Sequence, residues 1–548
     1  MQPSTLAKRA WLLLFLAVIA FYLYGLGRLP LVGPDEPRYA EVAREMFLRR
    51  DLITPTLGGH AWFEKPALLY WMMMAAFRVF GVSEWSARLG PAIAGLLTIV
   101  AVGWIGRQLE RNEGSEQAGL SFLSTLVIAS SVGLIVFSRA ASFDIVVTMT
   151  ITFALVFFLA GELVQTRRAW FLAGFYSFVG LSLLAKGLIG IVIPFGVVGT
   201  FYLLRRRSPD RTVLGSLLWG LPITIVVAGL WYGPAIGRHG WAFIDQFFIQ
   251  HHFARYLSNK YQHPQPVYFY LPIMLILALP WTPFLIEAFI EARKWNWSSD
   301  DAANKWRVFA LAWLLVPIVF FSFSGSKLPG YILPSLPAAA LLAGERVTAL
   351  VSGKSLSDKS VSGVTLRLTA AMLLLLAVAG IAYAEQSSKV SLRCALLVAA
   401  PLVLVGSFAF FMTRKRMLTA ILIAFVPVGG TVLALNCAVD RFASRESVRE
   451  LIQLADGRGY ASARVFMLSR IERSSEFYAS GRVIYGPDGE PLKLGSGAEL
   501  VEQARKEKAP FLVIVPLGSM WQLNNLQGVR TEVIGDNGRV AIVAVSAR

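Results

Sequence analysis

"WLLLFLAVIAFYLYGL", Trp11–Leu26, decides what kind of chain this is. It follows Lys8 and Arg9 and, read alone, passes for the apolar stretch of a secretory signal. No small-residue cleavage site comes after it, and apolar runs of similar length recur along the chain. It therefore reads as a retained transmembrane helix. The composition agrees: of 548 residues, 55% are hydrophobic and 16% charged, with a mean hydropathy of +0.58. A soluble fold of this length has no use for so much apolar surface.

Outward from that run, about thirteen spans are predicted, each near the length that crosses a bilayer. They lie near 11–28, 88–106, 118–137, 143–164, 170–186, 188–204, 213–233, 268–290, 307–323, 331–349, 366–384, 391–412 and 417–437. The formal net charge of +18 suggests a nucleic-acid partner at first sight. Its location argues otherwise. Arg167-Arg168, Arg205-Arg206-Arg207, Arg293-Lys294 and Arg414-Lys415-Arg416 sit in short loops between spans, which is the positive-inside pattern. With Lys8 and Arg9 inside, an odd span count puts these loops in the cytoplasm and the C-terminus outside. Membrane lipid, not nucleic acid, is the expected surroundings.

Directly after the first run comes "VGPDEPRYAEVAREM", Val32–Met46, with Asp35, Glu36, Glu41 and Glu45 against Arg38 and Arg44. The predicted outer loop 29–87 is not uniformly polar. In "YAEVAREMF" the apolar residues Val42, Ala43, Met46 and Phe47 fall at helical spacing, with Glu41, Arg44 and Glu45 opposite. "PALLYWMMMAAFRVFG" is apolar, aromatic and bounded by Pro66 and Gly81. Both read as helices lying in the membrane interface. A second outer loop, 234–267, carries "GWAFIDQFFIQHHFARYLSNKYQHP", whose aromatics suit the headgroup zone. From Asp440 the composition changes. "ARVFMLS", "RVIYG", "PFLVIVP" and "RVAIVAV" are short β-rich runs around the helical "GAELVEQARKEK". They predict a small soluble α/β domain over 440–548, after a membrane domain over 1–439.

The two cysteines, Cys394 and Cys437, fall near the same outer face in this topology. A disulfide is open to them but is not the expected state, and two thiols are too few for a cysteine-based metal site.

The outer turns gather charge of both signs: Asp35 and Glu36; Glu64 and Lys65; Arg139 and Asp144; Lys186; His251, His252 and Arg255; Lys327 and Tyr331. Each has an ordinary reading. Asp35 makes a turn or a helix cap, Lys186 and Lys327 snorkel to headgroups, and an interfacial histidine is a hydrogen-bonded structural residue. Ionisable groups beside hydrocarbon are costly, however, and their concentration on one face points to function.

In order, "PDEPRYAEVAREM", "WFEKPALLYW", "SFD", "AKG" and "KLPGYIL" resemble the GT-C membrane glycosyltransferases that use polyprenyl-phosphate sugars. Within these the chain is most similar to the 4-amino-4-deoxy-L-arabinose transferases that modify lipid A. The resemblance covers the first 335 residues well; beyond them only topology and an outer α/β domain match. It implies a polytopic helical GT-C fold, an undecaprenyl-phosphate-linked sugar donor and a lipid A acceptor. It implies a catalytic acidic residue at Asp35 and a second at Asp144, although Ile145 stands where the family pattern has proline. It implies a divalent metal, expected to be Zn²⁺, at Glu64 and His252, with His251 an open alternative for the imidazole. Lys65 and Arg255 would bind the donor phosphate, joined by Lys186, Lys327 and Tyr331. The expected location is the bacterial inner membrane, with the N-terminus cytoplasmic and the C-terminus periplasmic. A protein or another glycan as acceptor is the near alternative. A lipid transporter is the distant one, disfavoured because no internal repeat is evident.

Overall fold

The structure, a computed structural model, describes residues 5–113, 118–253, 265–353, 359–387, 390–412, 414–524 and 526–548. Among these residues, eight helices are long and apolar enough to cross a membrane: Glu84–Asn112, Phe143–Leu163, Gln165–Lys186, Arg211–Gln250, Ala302–Ser322, Gly363–Gln386, Leu392–Phe411 and Arg416–Cys437. Two further pairs are bent, Leu120–Ser130 with Val132–Ser138 by 57° and Val267–Leu277 with Thr282–Ala292 by 120°. Counting each pair as one span gives ten.

The thirteen expected crossings are therefore not all reproduced. The run expected to cross at 268–290 turns back on itself. Those at 188–204 and 331–349 are the shorter helices Ile189–Leu204 and Leu336–Ser352. Apolar composition alone does not distinguish a straight span from a folded one. The first run is the helix Thr5–Leu23.

The chain divides into two compact units. The first comprises 1–24, 63–69 and 88–434, the second 25–62, 70–87 and 435–548. In the first unit the two bent pairs dock on each other. The Trp281 indole donates to Ser130 Oγ at 2.9 Å, and the Val132 amide donates to the Leu279 carbonyl at 2.9 Å. Ser130 and Ser131 return their hydroxyls to the carbonyls of Leu126 and Val127, the back-bonding that bends helices. This break aims Val132–Ser138 toward the turn that carries Asp144.

The second unit contains a hairpin of β1 Thr56–Leu57 and β2 His60–Ala61 and a five-stranded sheet ordered β4-β3-β5-β7-β6, with β3 Val465–Leu468, β4 Lys493–Leu494, β5 Phe511–Pro516, β6 Val529–Asp536 and β7 Val540–Ala547. β4, β3 and β5 run parallel, while β7 is antiparallel to β5 and β6. β3, β5 and β7 come from "ARVFMLS", "PFLVIVP" and "RVAIVAV", and bury side chains on both faces. "RVIYG" forms only isolated bridges at Val483 and Tyr485. The helix in "GAELVEQARKEK" is Gly497–Lys506, begun by Ser496, whose side chain accepts from the Glu499 amide.

This unit is not confined to 440–548, because it takes in most of the first outer loop. The helix Glu36–Arg49 packs on the short helix Ser474–Tyr478. Its apolar face is buried, and so is much of the charged face opposite. Glu41 is 2% exposed and Arg44 9%. Arg44 donates to the Phe477 carbonyl at 3.0 Å and to Ser480 Oγ at 3.1 Å, partners more than four hundred residues away in sequence.

Cys394 and Cys437 are both disulfide-bonded, which also corrects the sequence expectation.

Candidate functional site

Asp144 stands in the first turn of the helix Phe143–Leu163, and Lys186 ends the helix Arg168–Lys186. Each charge complements the dipole of its own helix end. Ser142 caps the first helix, accepting from the Asp144 amide at 3.1 Å. Gly187, at φ 72°, ends the second, its amide donating to the Leu183 carbonyl. The Lys186 ammonium donates to Asp144 Oδ1, and both side chains are largely buried. The same ammonium lies 4.5 Å from the centroid of the Tyr331 ring, a cation–π contact.

Tyr331 belongs to the 3₁₀ segment Pro329–Ser335, which follows the loop "SGSK". Gly330 lies so close to Asp144 that a Cβ there would overlap Oδ2. Lys327, 7% exposed, makes one hydrogen bond among the described residues, to the Ser324 carbonyl at 2.7 Å. Among the described residues no carboxylate pairs with it. An ammonium has three donors, so two remain for an anion. Tyr270 and Ser326 are buried beside these groups, and among the described residues the Ser326 hydroxyl has no hydrogen-bond partner.

Elsewhere in the first unit Lys65 pairs with Glu64 at 2.9 Å, both side chains mostly buried. Phe63 anchors this pair by packing on His239 and Phe243, at ring distances of 4.9 and 5.1 Å. The side chains of His251 and His252 lie outside the described residues, as does Arg255. Among the described residues no group of three or more His, Cys, Asp or Glu could hold a metal ion. Glu64, paired with Lys65, is the member of the expected Glu64 and His252 metal pair that lies among the described residues.

In the second unit Asp35 is the N-cap position of the helix Glu36–Arg49 but makes no side-chain cap bond. Its carboxylate, 49% exposed, pairs with Arg38 at 2.9 Å. Glu36 is buried and accepts from the Val32 amide at 3.2 Å. The adjacent acids are thus divided, one open and one structural.

The fold thus brings Asp144, Lys186 and Tyr331 together within the first unit. Sequence reasoning missed Gly330, although it stands inside the quoted "KLPGYIL". It also missed Ser142, which opens the quoted "SFD" as an N-cap residue before an apolar run, and Tyr270.

The profile of the dolichyl-phosphate-mannose-protein mannosyltransferase family matches residues 7–242. An undecaprenyl phosphate-alpha-4-amino-4-deoxy-L-arabinose arabinosyl transferase of Aeromonas salmonicida is 33% identical over 348 residues, 61% of this chain and 60% of that protein. Its namesake in Yersinia enterocolitica is 31% identical over 340 residues, 61% of this chain and 58% of that one. The match thus spans about three fifths of the length of these curated relatives. The crystal structure of ArnT from Cupriavidus metallidurans bound to undecaprenyl phosphate superposes with a TM-score of 0.79 over 98% of both chains at 22% identity. The chain has the GT-C fold. The apo form of the same ArnT gives a TM-score of 0.77 at 23% identity, again over 98% of both chains. The expected likeness to the aminoarabinose transferases is therefore found in sequence and in fold. The GT-C likeness extends over the second unit as well, where sequence resemblance was weak.

Proposed function

We propose that this chain is a glycosyltransferase moving a sugar, 4-amino-4-deoxy-L-arabinose by preference, from undecaprenyl phosphate to a phosphate of lipid A at the outer face of the bacterial inner membrane. The observation that carries this reading is the buried Asp144–Lys186–Tyr331 cluster on a GT-C scaffold, together with the underused ammonium of Lys327. The relatives' names supply the donor, and the lipid A acceptor is what the sequence resemblance implies.

An acceptor phosphate oxygen attacks the anomeric carbon. The bond from that carbon to the donor phosphate oxygen breaks, and undecaprenyl phosphate leaves with the electron pair. Negative charge grows on the leaving oxygen, so fixed cations there stabilise the transition state more than the ground state. Lys327 has donors to spare. Lys186 exchanges part of its contact with Asp144 for the phosphate, and Lys65 and Arg255 add charge. Asp35, open and paired only at its edge, orients the acceptor or takes its residual proton. An acceptor phosphate is already anionic near neutral pH, so a strong base is not required.

The orientation with residues 440–548 in the periplasm is supported by the basic loops and by the disulfide-bonded Cys394 and Cys437, since disulfides persist in oxidising compartments. Gly518→Cys, whose Cβ meets nothing within 4 Å, tests it. The new thiol should react with a membrane-impermeant reagent in cells permeabilised only at the outer membrane, and labelling only after lysis would invert the topology. Zinc bound by the wild type and lost in His252→Ala would add the metal expected from the family.

The family profile, named for protein mannosyltransferases, keeps a protein acceptor as the second reading. Mass spectrometry of lipid A from cells with and without this chain decides between them. Aminoarabinose should appear only with the chain, and unchanged lipid A under inducing conditions removes that acceptor.

A further inference from the structure

The Tyr331 ring is located by packing. Among the described residues no hydrogen bond reaches its phenol, and the side chain is only partly buried. Two contacts decide where it sits. The Lys186 ammonium lies 4.5 Å from its centroid. The Phe321 ring lies 5.1 Å from it, centroid to centroid, at an interplanar angle of 42°.

Phe321 is itself held fast. It is 2% exposed, in the last turn of the helix Ala302–Ser322. Trp313, Pro317 and Phe321 follow one another at helical spacing on one face, and all three are buried. That helix is fastened to the segment bearing Tyr331. The Trp313 indole donates to the Pro334 carbonyl at 2.7 Å, and Ser335 Oγ donates to the Leu314 carbonyl at 2.9 Å. Tyr270, fully buried, packs on Phe321 at 6.4 Å and 60°. At the other end of the segment Gly330 leaves no room for a Cβ beside Asp144 and Phe137. The backbone around Tyr331 is thus fixed on both sides, and a closely packed ring such as Phe321 does not move aside.

Lys186 is different in kind. Its ammonium rides on a flexible four-carbon stem, and its ion pair with Asp144 is the one contact of opposite charge it makes among the described residues. An incoming phosphate competes for that ammonium. A fixed aromatic face attracts the cation and limits where it goes during the exchange. Tyr331 supplies the face, and Phe321 fixes Tyr331.

We propose that Phe321 is a positioning residue: through the ring of Tyr331 it keeps the Lys186 ammonium within reach of both Asp144 and a phosphate oxygen. The consequence for transfer rests on the function proposed above. The coupling of the three side chains does not.

Phe321→Leu, Tyr331→Leu and the double variant form one cycle, read in two ways on the full-length protein in detergent. The first readout is trace acetylation by acetic anhydride, quantified at Lys186 by mass spectrometry, which needs no substrate. Each single variant should raise the Lys186 rate by about fivefold, the scale of one cation–π contact, and the double variant no further. Lys65 in the same samples should keep its rate. The second readout is kcat for sugar transfer. Phe321→Leu should lower kcat by about five- to tenfold when Tyr331 is present, the scale of one aromatic pair, and by less than about twofold beside Tyr331→Leu. A merely structural defect would instead reduce the folded fraction and multiply whatever Tyr331→Leu costs. An unchanged Lys186 rate in Phe321→Leu, an equal rise at Lys65, or losses of kcat that multiply overturns the proposal. If Phe321→Leu fails to reach the membrane, Phe321→Met, which fills the site without a flat face, takes its place in the cycle with the same outcomes. A wild type that transfers no sugar yet completes the acetylation cycle removes the transferase reading and leaves the positioning of Lys186 standing.

Discussion

The Lys186 ammonium ties the end of one membrane helix to the start of another through Asp144, and lies against the face of Tyr331 while doing so. An ion pair in this setting resists loss of one partner more than loss of both. Asp144→Asn and Lys186→Met should each lower thermal stability in detergent, by up to about 3–5 kcal/mol where one charge is left buried and unpaired. The double variant should recover much of that stability and none of the transfer. Double-mutant thermal melts and transfer rates check this. Additive losses of stability would show that the two residues do not act as a pair.

Gly330 should tolerate no side chain. Gly330→Ala sets a methyl against Asp144 Oδ2 and should cost about 1–3 kcal/mol as neighbours shift. Transfer should fall at matched membrane expression. Wild-type rates in this variant would separate the close approach from the chemistry.

Lys327 differs from Lys186 because its removal leaves no carboxylate behind. Lys327→Met should leave stability nearly unchanged yet cut transfer on the order of 10²–10³-fold, the scale of one lost oxyanion donor. Full activity at normal expression would place the donor phosphate elsewhere.

Asp35 and Glu36 should part company. Asp35→Asn should nearly abolish transfer without destabilising the protein, since this carboxylate is half exposed and caps nothing. Asn makes turns as well as Asp, so a purely structural residue would survive the change. Glu36→Gln keeps an acceptor for the Val32 amide and should be mild. Full activity in Asp35→Asn returns that residue to a turn former.

The second unit should lose stability as pH rises. Burial lifts the Glu41 carboxyl from 4.5 to about 8, with Arg44 opposing and Glu45 and Glu476 adding to the rise. Between these values the folded state keeps a proton that the unfolded chain releases, so stability declines as pH climbs through that window. Glu476 shifts in the same direction. Thermal melts across the window should show the decline, and Glu41→Gln should flatten it. An unchanged slope in that variant removes Glu41 as its source.

Much of the membrane architecture was legible because an apolar run and its flanking arginines are local signals. The runs that became Phe143–Leu163 and Leu392–Phe411 needed nothing else. The fold-back at Val267–Ala292 was not legible, since it depends on what Trp281 and Leu279 find on Ser130 and Val132. The same holds for the site. Asp144, Lys186 and Tyr331 were each named as candidates by the family resemblance, but their mutual contact exists only after three segments meet. The burial of Glu41 and Arg44 was not legible either, because Phe477 and Ser480, which Arg44 meets, lie at the other end of the sequence.

That separation also sets an order of events during synthesis. Arg44 must wait for Phe477, 433 residues later. At roughly 5–20 residues per second this is a delay of tens of seconds. Throughout it the segment bearing Asp35 has left the ribosome without the surface that will later enclose Glu41 and Met46. A nascent chain halted before Ser474 should therefore insert its early helices yet stay sensitive to protease between Glu36 and Arg49. A stretch translated more than four hundred residues later is thus what brings the first outer segment to maturity.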